Sequence, residues 1–463
     1  MLNKEQKATV RNASKKALNA IDNLILKETI PEDGWSEGML VQLMESLAAA
    51  DSNNKEDSVG AGEREGRVVC PLVNRLHFGM SHGIGRSGNI VEAQPKALGS
   101  SFLNSISNNF ALEALQTLGL KSCQKAVLLP VCTGMALTLS LLTLKQMKPQ
   151  ATHVIWSRID QKSCFKSILT AGLIPIIVEL KVIKDTGSCK FDLALEEENL
   201  ESAISGFDPS EILCVLSTTS CFAPRRPDDL EMVSEFARRH SIFHLVNNAY
   251  GLQSSLMVSK LEKSLSLEGV DLFVQSTDKN FLTPVGGSIV GSRKKELISI
   301  LGKVYPGRAS GIPSRDFVLT VLHLGKSGLK KMVENRTELN TKFLKELQEI
   351  IPDVWQPEEN DISIAISLNH IYGNDLKLKL GALLYSKYKV TGARVLVPDG
   401  HVTKINNYEF RNFGCHSDSN DVGYLTVASG IGMTEEEVTK VVDRIRKAND
   451  EISQEEQKII KNG

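Results

Sequence analysis

The chain has 463 residues, of which 41% are hydrophobic and 24% are charged, and its formal net charge is -1. A chain of this length can bury a large core and is expected to form about two domains. Because the charges nearly cancel, a nucleic-acid partner would have to be bound by local basic patches and not by a general positive field.

The cysteines and the N-terminus exclude several classes of protein. Eight cysteines are scattered along the chain without a C-x-x-C pair, which argues against a zinc ribbon, a redox dithiol or a disulfide scaffold. This usage is typical of the reducing cytoplasm. Residues 1–26 contain lysines but no continuous apolar segment, and other apolar runs are too short to cross a bilayer. We therefore predict no signal peptide, no transmembrane helix and no metal site.

Two helices are predicted at the start of the chain. Apolar residues at helical spacing predict a helix over residues 5–28, and Pro31 precedes a second helix with leucines on one face. We interpret residues 1–60 as a helical extension. On an enzyme such an extension is most often an oligomer or partner surface, but it could also pack on the core.

A glycine-rich segment at residues 82–88 reads His-Gly-Ile-Gly-Arg-Ser-Gly and matches the G-x-G-x-x-G pattern of dinucleotide sites. Its context does not fit, because no apolar strand precedes it and Pro95 lies where a helix should run. What remains is a flexible backbone that carries Arg86 and Ser87, followed by Gln94. Such a segment predicts either an anion site, since glycines let backbone amides approach an anion and an arginine binds phosphate well, or a tight surface turn.

From residue 107 onward, apolar strands alternate with helices. The strands are predicted at residues 126–131, 152–156, 174–179, 212–216, 242–246 and 270–275. This alternation predicts an α/β fold with a mostly parallel sheet covered by helices, in which ligands bind beyond the carboxyl ends of the strands. After Pro352 the pattern changes to that of a smaller α+β domain.

The predicted organisation is four consecutive segments. They are a helical extension at 1–60, a large α/β domain at 61–325, a small C-terminal α+β domain at 326–450 and a polar tail at 451–463.

The residues that follow the predicted strands are the candidates for ligand binding and catalysis. Thr133, Gly134 and Met135 begin a helix, where amide donors and the positive end of the helix dipole offer a site for a phosphate. Asn247 follows the fifth strand. Lys279 follows the sixth, where a desolvated amine could form a Schiff base with an aldehyde cofactor. From this segment alone, a surface lysine in a loop is the alternative.

Together these segments resemble a known family. A helix that opens with T-G-M, N-N-A-Y-G at one strand end and S-T-D-K-N at the next resemble the pyridoxal-phosphate enzymes of the aspartate aminotransferase fold, fold type I. More closely, the chain from residue 31 to 445 resembles the O-phosphoseryl-tRNA(Sec) selenium transferases of archaea and eukaryotes. The segments that carry this resemblance are 64–67, 82–88, 158–166, 217–225, 247–255, 278–281 and 305–310.

The resemblance implies roles for individual residues. Lys279 would bind pyridoxal 5′-phosphate (PLP) in the large domain and then act as general base at the substrate α-carbon. The other residues implied at the cofactor are Gly134, Met135, Ser163, Asn247 and Gln275. The residues implied at the phosphate of the substrate are Arg64, Arg86, Ser87, Gln94 and Arg308. Arg394 is implied to contact the end of the tRNA acceptor arm.

One position departs from the wider fold. Most of these enzymes have an aspartate at the pyridine nitrogen of the cofactor, whereas this chain has Asn247, or its neighbour Asn248. An amide cannot supply the full negative charge that keeps this nitrogen protonated, so the cofactor should be a weaker electron sink. We hypothesise that phosphate, as the leaving group, makes a weaker sink sufficient.

The implied reaction converts O-phosphoseryl-tRNA(Sec) to selenocysteinyl-tRNA(Sec). Phosphate leaves by β-elimination, and selenium from selenophosphate adds to an aminoacrylate intermediate. The family also implies a cytoplasmic homotetramer, a dimer of dimers paired through the N-terminal helices. Cys164 and Cys221 are interpreted as packing residues.

Two other functions remain open on the same scaffold. One is a PLP enzyme similar to cysteine desulfurase or selenocysteine lyase, which would need a cysteine on a mobile loop. The other is a catalytically silent tRNA-binding protein, against which the intact Lys279 argues.

Overall fold

The computed structural model describes residues 18–185 and 187–462, in which helices and strands alternate. The first part of the chain contains α1 (18–27), α2 (Glu37–Ala49), α3 (Pro71–Leu76), α4 (Leu98–Thr117), β1 (Lys125–Leu129), α5 (Thr133–Met147), β2 (His153–Ser157), α6 (Lys162–Thr170), β3 (Ile174–Val178), β4 (Lys181–Lys184), β5 (Phe191–Ala194) and α7 (Glu197–Ile204). The helix predicted over residues 5–28 is confirmed for α1, and its earlier part lies outside the described residues.

The second part continues the alternation and ends in a long helix. It contains β6 (Ile212–Thr218), α8 (Leu230–Arg239), β7 (Phe243–Asn247), α9 (Ser255–Ser266), β8 (Leu272–Ser276), α10 (Thr277–Phe281), β9 (Ser288–Ser292), α11 (Lys295–Val304), α12 (Ile312–Ile350), β10 (Val354–Trp355), β11 (Ser363–Ser367), α13 (Asn374–Ser386), β12 (Arg394–Leu396), β13 (Val402–Ile405), β14 (Tyr408–Arg411), β15 (Tyr424–Ala428) and α14 (Glu435–Asn462). The backbone of α12 is non-helical at Gly325.

The chain forms two compact units, each built from two stretches of sequence. The first comprises Met1–Cys132 and Ser276–Lys331, and the second comprises Thr133–Gln275 and Met332–Gly463. The predicted division into consecutive domains stays a prediction.

In the first unit, the N-terminal helices pack on the core. The buried face of α2 includes Leu43, Met44 and Leu47. It approaches α4 so closely that a Cβ at Gly99 would lie 1.7 Å from the Leu47 carbonyl oxygen. Only glycine fits there, because any side chain would separate the two helices. Packing on the core, one of the two expected uses of the extension, is thus present, while its use in oligomerisation stays a prediction.

The second unit contains the predicted parallel sheet. Five strands run in the order β3-β2-β6-β7-β8, and each neighbouring pair is parallel. All residues of β6 and β8 are buried, which is the pattern of strands covered on both faces. The predicted strands are therefore confirmed here with small shifts at their ends. In the first unit, β1 pairs with β9 in antiparallel orientation.

A second sheet of four antiparallel strands lies in the second unit, in the order β10-β11-β15-β12. Side chains of α13 and α14 share a hydrophobic cluster with it, including Leu380, Leu425 and Ile445. The helix α14 continues through the segment that was predicted as a polar tail, as far as Asn462. Ile452 is fully buried and Glu455 pairs with Lys379 of α13, so the segment gains the contacts that a helix needs.

Two short hairpins, β4 with β5 and β13 with β14, are absent from the sequence prediction. The second strand of the first hairpin, β5, ends at Ala194, and α7 begins three residues later at Glu197. These strands are short and partly exposed, so they lack the apolar runs that revealed the central strands. No helix within the described residues is long and apolar enough to span a bilayer.

A buried ion pair lies beyond the end of β6 in the second unit. Arg225 and Asp228 are both fully buried, with Nη2 2.8 Å from Oδ1. The guanidinium also donates to the carbonyl of Arg158 and the hydroxyl of Ser157, both at 3.0 Å. The carboxylate accepts the amide of Thr218 at 2.7 Å. These hydrogen bonds fix the loop after β6 to the sheet.

Replacing Arg225 with alanine should strongly destabilise the protein. The Asp228 carboxylate would stay buried without its cation, which is expected to lower the free energy of unfolding by about 3–5 kcal/mol. The control is Arg239→Ala, because Arg239 pairs with Glu197 and Glu201 on the exposed surface of the same unit. Such pairs contribute about 0–1 kcal/mol. Denaturant titration compares the variants, and equal losses would contradict the prediction.

Candidate active site

Lys279 lies in α10, the short helix that follows β8. Its ammonium is 3.0 Å from Asp278 Oδ2 and 3.3 Å from the hydroxyl of Ser276. The side chain is 46% exposed. Leu282 has a left-handed backbone, with φ 55°, and ends the helix. The lysine therefore stands at the carboxyl end of a buried strand, as predicted. Its amine is not desolvated as expected, because the half-exposed side chain is accessible to a ligand.

In the second unit, the predicted phosphate site lies at the start of α5. A Cβ at Gly134 would lie 3.2 Å from Cβ of Ser163, so the first turns of α5 and α6 are adjacent. Thr138 links them further, since its hydroxyl lies 3.1 Å from the Gly134 carbonyl and 3.3 Å from that of Ser167. The first amides of a helix have no partner within it. Two such ends side by side suit an anion. Met135 is largely exposed.

Asn247, at the end of β7, is connected to the same region. Its Nδ2 lies 3.1 Å from Sγ of Cys164, and its Oδ1 accepts the amide of Ala249 at 3.3 Å. Burial raises the pKa of the Cys164 thiol to about 12, and that of Cys221 also to about 12. Both thiols stay protonated at neutral pH, so the interpretation of these cysteines as packing residues is confirmed.

The neighbouring Asn248 has a different environment. It is fully buried, and its Oδ1 accepts a hydrogen bond from the hydroxyl of Thr219. A Cβ at Gly251 would lie 1.8 Å from this oxygen, so the turn after β7 requires glycine. Asn248 is thus held inside the protein by the turn.

Buried polar atoms without a partner test whether the second unit fits a phosphorylated cofactor. Both amide atoms of Gln275 are buried at the end of β8 and have no hydrogen-bond partner among the described residues. The hydroxyl of Thr133, at the start of α5, is also buried and has no hydrogen-bond partner among these residues. An unmade hydrogen bond of this kind costs about 1–3 kcal/mol, so such atoms indicate a missing ligand or water. The residues therefore fit PLP.

The first unit contains a basic cavity of about 480 Å³. Arg64 and Arg308, two of the predicted phosphate-binding residues, both line it. Lys96 supports this wall, since its ammonium donates to the Arg64 carbonyl at 2.8 Å and to Oε1 of Glu65 at 2.9 Å. Two guanidinium groups that line one cavity favour a multiply charged anion.

Backbone pairing forms this cavity. The amide of Ile84 donates to the Ala309 carbonyl at 2.9 Å, and the reverse bond is 3.0 Å. A Cβ at Gly83, where φ is 69°, would lie 2.3 Å from the Ala309 carbonyl. The glycine motif thus forms an isolated antiparallel bridge with the loop at Ala309. A dinucleotide motif opens a helix, whereas the first helix after this motif is α4, which begins only at Leu98. The rejection of the dinucleotide motif is therefore confirmed.

The remaining predicted phosphate ligands lie nearby in sequence but do not line this cavity in the described chain. Arg86 is 46% exposed and lies 3.9 Å from Glu92. Ser87 is exposed, with a left-handed backbone at φ 48°. Gln94 is half-buried, and its amide donates to the hydroxyl of Ser101 at 2.8 Å. Their roles at a phosphate stay predictions.

His82 also lines the cavity, although sequence reasoning gave it no role. Its ring is 3% exposed, and neither ring nitrogen has a hydrogen-bond partner among the described residues. The only sequence signal was its position directly before the glycine motif.

Arg394 lies in the second unit at the first residue of β12. Its guanidinium carbon is 5.5 Å from the ring centroid of Phe222. Phe222 lines a cavity of about 500 Å³ together with three cations, Lys389, Lys440 and Arg444. A flat ring beside cations suits a nucleotide, because bases stack on aromatic and guanidinium groups.

Comparisons with known proteins agree with this arrangement. A family profile described as "O-phosphoseryl-tRNA(Sec) selenium transferase, SepSecS" matches residues 50–450. A protein of Caenorhabditis elegans with the name O-phosphoseryl-tRNA(Sec) selenium transferase is 43% identical over 94% of this chain and 90% of its own length.

Solved structures give the same result for the fold. A crystal structure of archaeal O-phosphoseryl-tRNA(Sec) selenium transferase has a TM-score of 0.84 and 28% identity, covering 96% of this chain and 98% of its own. A structure of Oryza sativa TDC with PLP and tryptamine has a TM-score of 0.54 and 14% identity, covering 98% of this chain and 100% of its own. The latter shows the fold alone and confirms the predicted fold type I. The chain belongs to the O-phosphoseryl-tRNA(Sec) selenium transferase family.

Proposed function

We propose that this chain converts O-phosphoseryl-tRNA(Sec) to selenocysteinyl-tRNA(Sec) with selenophosphate as the selenium donor. The observation that carries the proposal is the basic cavity of the first unit, which Arg64 and Arg308 line. A seryl group would not need two guanidinium groups, whereas a phosphoseryl group carries the dianion that such a pair binds.

PLP is the cofactor in this proposal. When bound, it draws electrons from the substrate α-carbon and so makes loss of the α-proton possible. The adjacent helix ends at Gly134 and Ser163 would hold its phosphate, and the amide of Gln275, which has no partner among the described residues, would donate to it. Lys279 follows Gln275 by four residues in the chain and supplies the amine.

Different residues of the chain would transfer the proton and bind the departing phosphate. Lys279 would take the proton from the α-carbon, acting as general base. Arg64 and Arg308 would hold the phosphate while its bond to the β-carbon breaks and would stabilise the charge that develops on it. The selenium of selenophosphate would then add to the β-carbon while the α-carbon takes back a proton, and water would cleave the selenium–phosphorus bond and release phosphate. None of these reaction steps needs a thiol, which agrees with the raised pKa values of Cys164 and Cys221.

Asn247 sets the strength of the electron sink in this proposal. Its amide already bonds to Cys164 and Ala249, so its orientation is fixed by the protein. A neutral side chain there would leave the pyridine nitrogen less protonated than an aspartate would. Phosphate needs less help to leave than a poorer leaving group, which is why a weaker sink would suffice.

A cysteine desulfurase or selenocysteine lyase activity is the alternative of the same fold. It requires a reactive thiolate, and burial raises the pKa of four cysteines to about 12 or above. Cys70 and Cys132 are exposed. Release of selenium from free selenocysteine by the purified enzyme, lost on replacing either cysteine, would favour this alternative.

Assembly and location also belong to the proposal. We expect a cytoplasmic homotetramer, paired as a dimer of dimers through the N-terminal helices. α1 has leucine and isoleucine side chains on its exposed surface, including Leu26 at 81% exposure, and these would be covered by another copy. The catalytically silent alternative would show the same assembly without turnover.

Replacing Lys279 with alanine should abolish turnover. The purified wild-type protein is expected to absorb visible light through its lysine-bound cofactor and to convert phosphoseryl-tRNA(Sec) and selenophosphate to product. The variant should lose the absorption, and turnover should fall by at least about 10²–10⁴-fold because the general base is missing. Lys295→Ala, at an exposed position of the same unit, is the control. A colourless variant that still turns over would refute the role of Lys279.

Replacing Arg308 with alanine should weaken phosphate binding. One charge-assisted hydrogen bond contributes about 1.5–3 kcal/mol, so inhibition by inorganic phosphate should weaken by roughly 10–100-fold. Arg308→Lys should recover only part of this, because an ammonium cannot bind two phosphate oxygens as a fork. Arg75→Ala, an exposed arginine in α3, is the control. Unchanged inhibition by phosphate would argue against the assignment of this cavity.

Replacing Arg394 with alanine should weaken tRNA binding. If its guanidinium contacts the nucleic acid, the slope of log affinity against log salt concentration should decrease by about one. Arg239→Ala, on the exposed surface of α8, should leave this slope unchanged. The measurement is tRNA(Sec) binding over a range of salt concentrations. Identical slopes for wild type and Arg394→Ala would place the tRNA elsewhere.

A further inference from the structure

We propose that His82 is a third ligand of the substrate phosphate and that it takes up a proton when the phosphate binds. The inference rests on the proposed function, since it assigns the phosphoseryl group to the cavity that His82 lines together with Arg64 and Arg308.

The first argument is the state of the imidazole. His82 is 3% exposed, yet Nδ1 and Nε2 both lack a hydrogen-bond partner among residues 18–185 and 187–462. A buried polar group in this state costs free energy, so it normally has a partner in the functional complex. The ring lines a cavity that contains two guanidinium groups, so the missing partner is expected to be an acceptor that carries negative charge.

The second argument is that the protein holds the ring in place by backbone. Gly66 has φ 72°, and a Cβ there would lie 3.1 Å from both Cε1 and Nε2 of His82. The same Cβ would lie 2.7 Å from the hydroxyl of Ser81, which donates to the Gly66 carbonyl at 2.7 Å. The loop that carries Arg64 therefore packs directly against the imidazole. A ring held this way is positioned before a ligand arrives.

The third argument is the charge around the ring. Burial lowers the pKa of His82 below its ordinary value, and the cations Lys96 and Arg308 lower it further. Asp51 and Glu65 act in the opposite direction, but the net shift is downward. His82 is therefore neutral at neutral pH when the cavity holds no anion.

A bound dianion reverses this balance. Negative charge between the two arginines favours the protonated imidazole, so the pKa of His82 in the complex rises above its value in the free protein. Between these two pKa values, binding takes up close to one proton per site. By linkage, anion affinity then falls by up to about tenfold for each unit of pH increase in this window. Below the lower pKa the ring is already charged in the free protein, so binding takes up no proton and the contribution of His82 to anion affinity no longer changes with pH.

The test uses sulfate and the protein with its cofactor bound. Sulfate is a suitable probe because it is a dianion that does not titrate near neutral pH, so any proton taken up goes to the protein. Calorimetric titrations in buffers of different ionisation enthalpy give the number of protons bound with each sulfate. We expect uptake approaching one proton per site in wild type, near zero in His82→Gln, and the wild-type value in His323→Gln, an exposed histidine of the same unit.

Several outcomes would overturn the proposal. Sulfate that binds wild type without proton uptake, or that does not bind, refutes it without any variant, so a folding defect in His82→Gln cannot conceal a failure. Uptake that persists in folded His82→Gln refutes it by showing that another group titrates. An enzyme that makes selenocysteinyl-tRNA(Sec) but takes up no proton with sulfate would refute the role of His82 alone. Proton-linked sulfate binding without turnover would instead refute the proposed reaction.

Discussion

Two backbone hydrogen bonds between Ile84 and Ala309 determine where the cations of the first unit stand. These residues are far apart in sequence, and each belongs to a loop that would otherwise be free to move. Pairing of the loops leaves room for only a glycine at position 83, and it brings His82 and Arg308 into one cavity. A phosphate-binding site needs this kind of support, because guanidinium groups repel each other and would separate on flexible loops.

The two units use different means to bind anions. The first presents full charges, those of Arg64 and Arg308, whose supporting residue Lys96 pairs with Glu65. The second presents neutral donors at the start of α5. Neutral amides suit a cofactor that remains bound, whereas a phosphate that must be held while it departs needs fully charged partners that are already in place. This difference supports the assignment of cofactor and substrate to the two sets.

Sequence reasoning was accurate where the signal was local. The parallel strands of the second unit are apolar runs of buried residues, and the ends of those strands were therefore predictable, including the positions of Asn247 and Lys279. It failed where pairing or packing between distant segments decides the structure. The strands of the hairpins are short and only partly buried, and α14 extends because Ile452 and Glu455 find partners elsewhere in the second unit. His82 was missed for the same reason, since only the folded chain shows that its ring is buried, lines a cavity with two arginines and has no hydrogen-bond partner in the described part of the chain.

The environment of Cys164 bears on how selenium enters the reaction. A thiol carrier of selenium must ionise and must be reached by the donor, and Cys164 does neither, because it is buried and its pKa is raised to about 12. Its sulfur instead accepts a hydrogen bond from Asn247. Cys164 thus serves to orient an amide. This supports direct transfer from a small donor such as selenophosphate, for which the chain needs to supply only an anion site and a base.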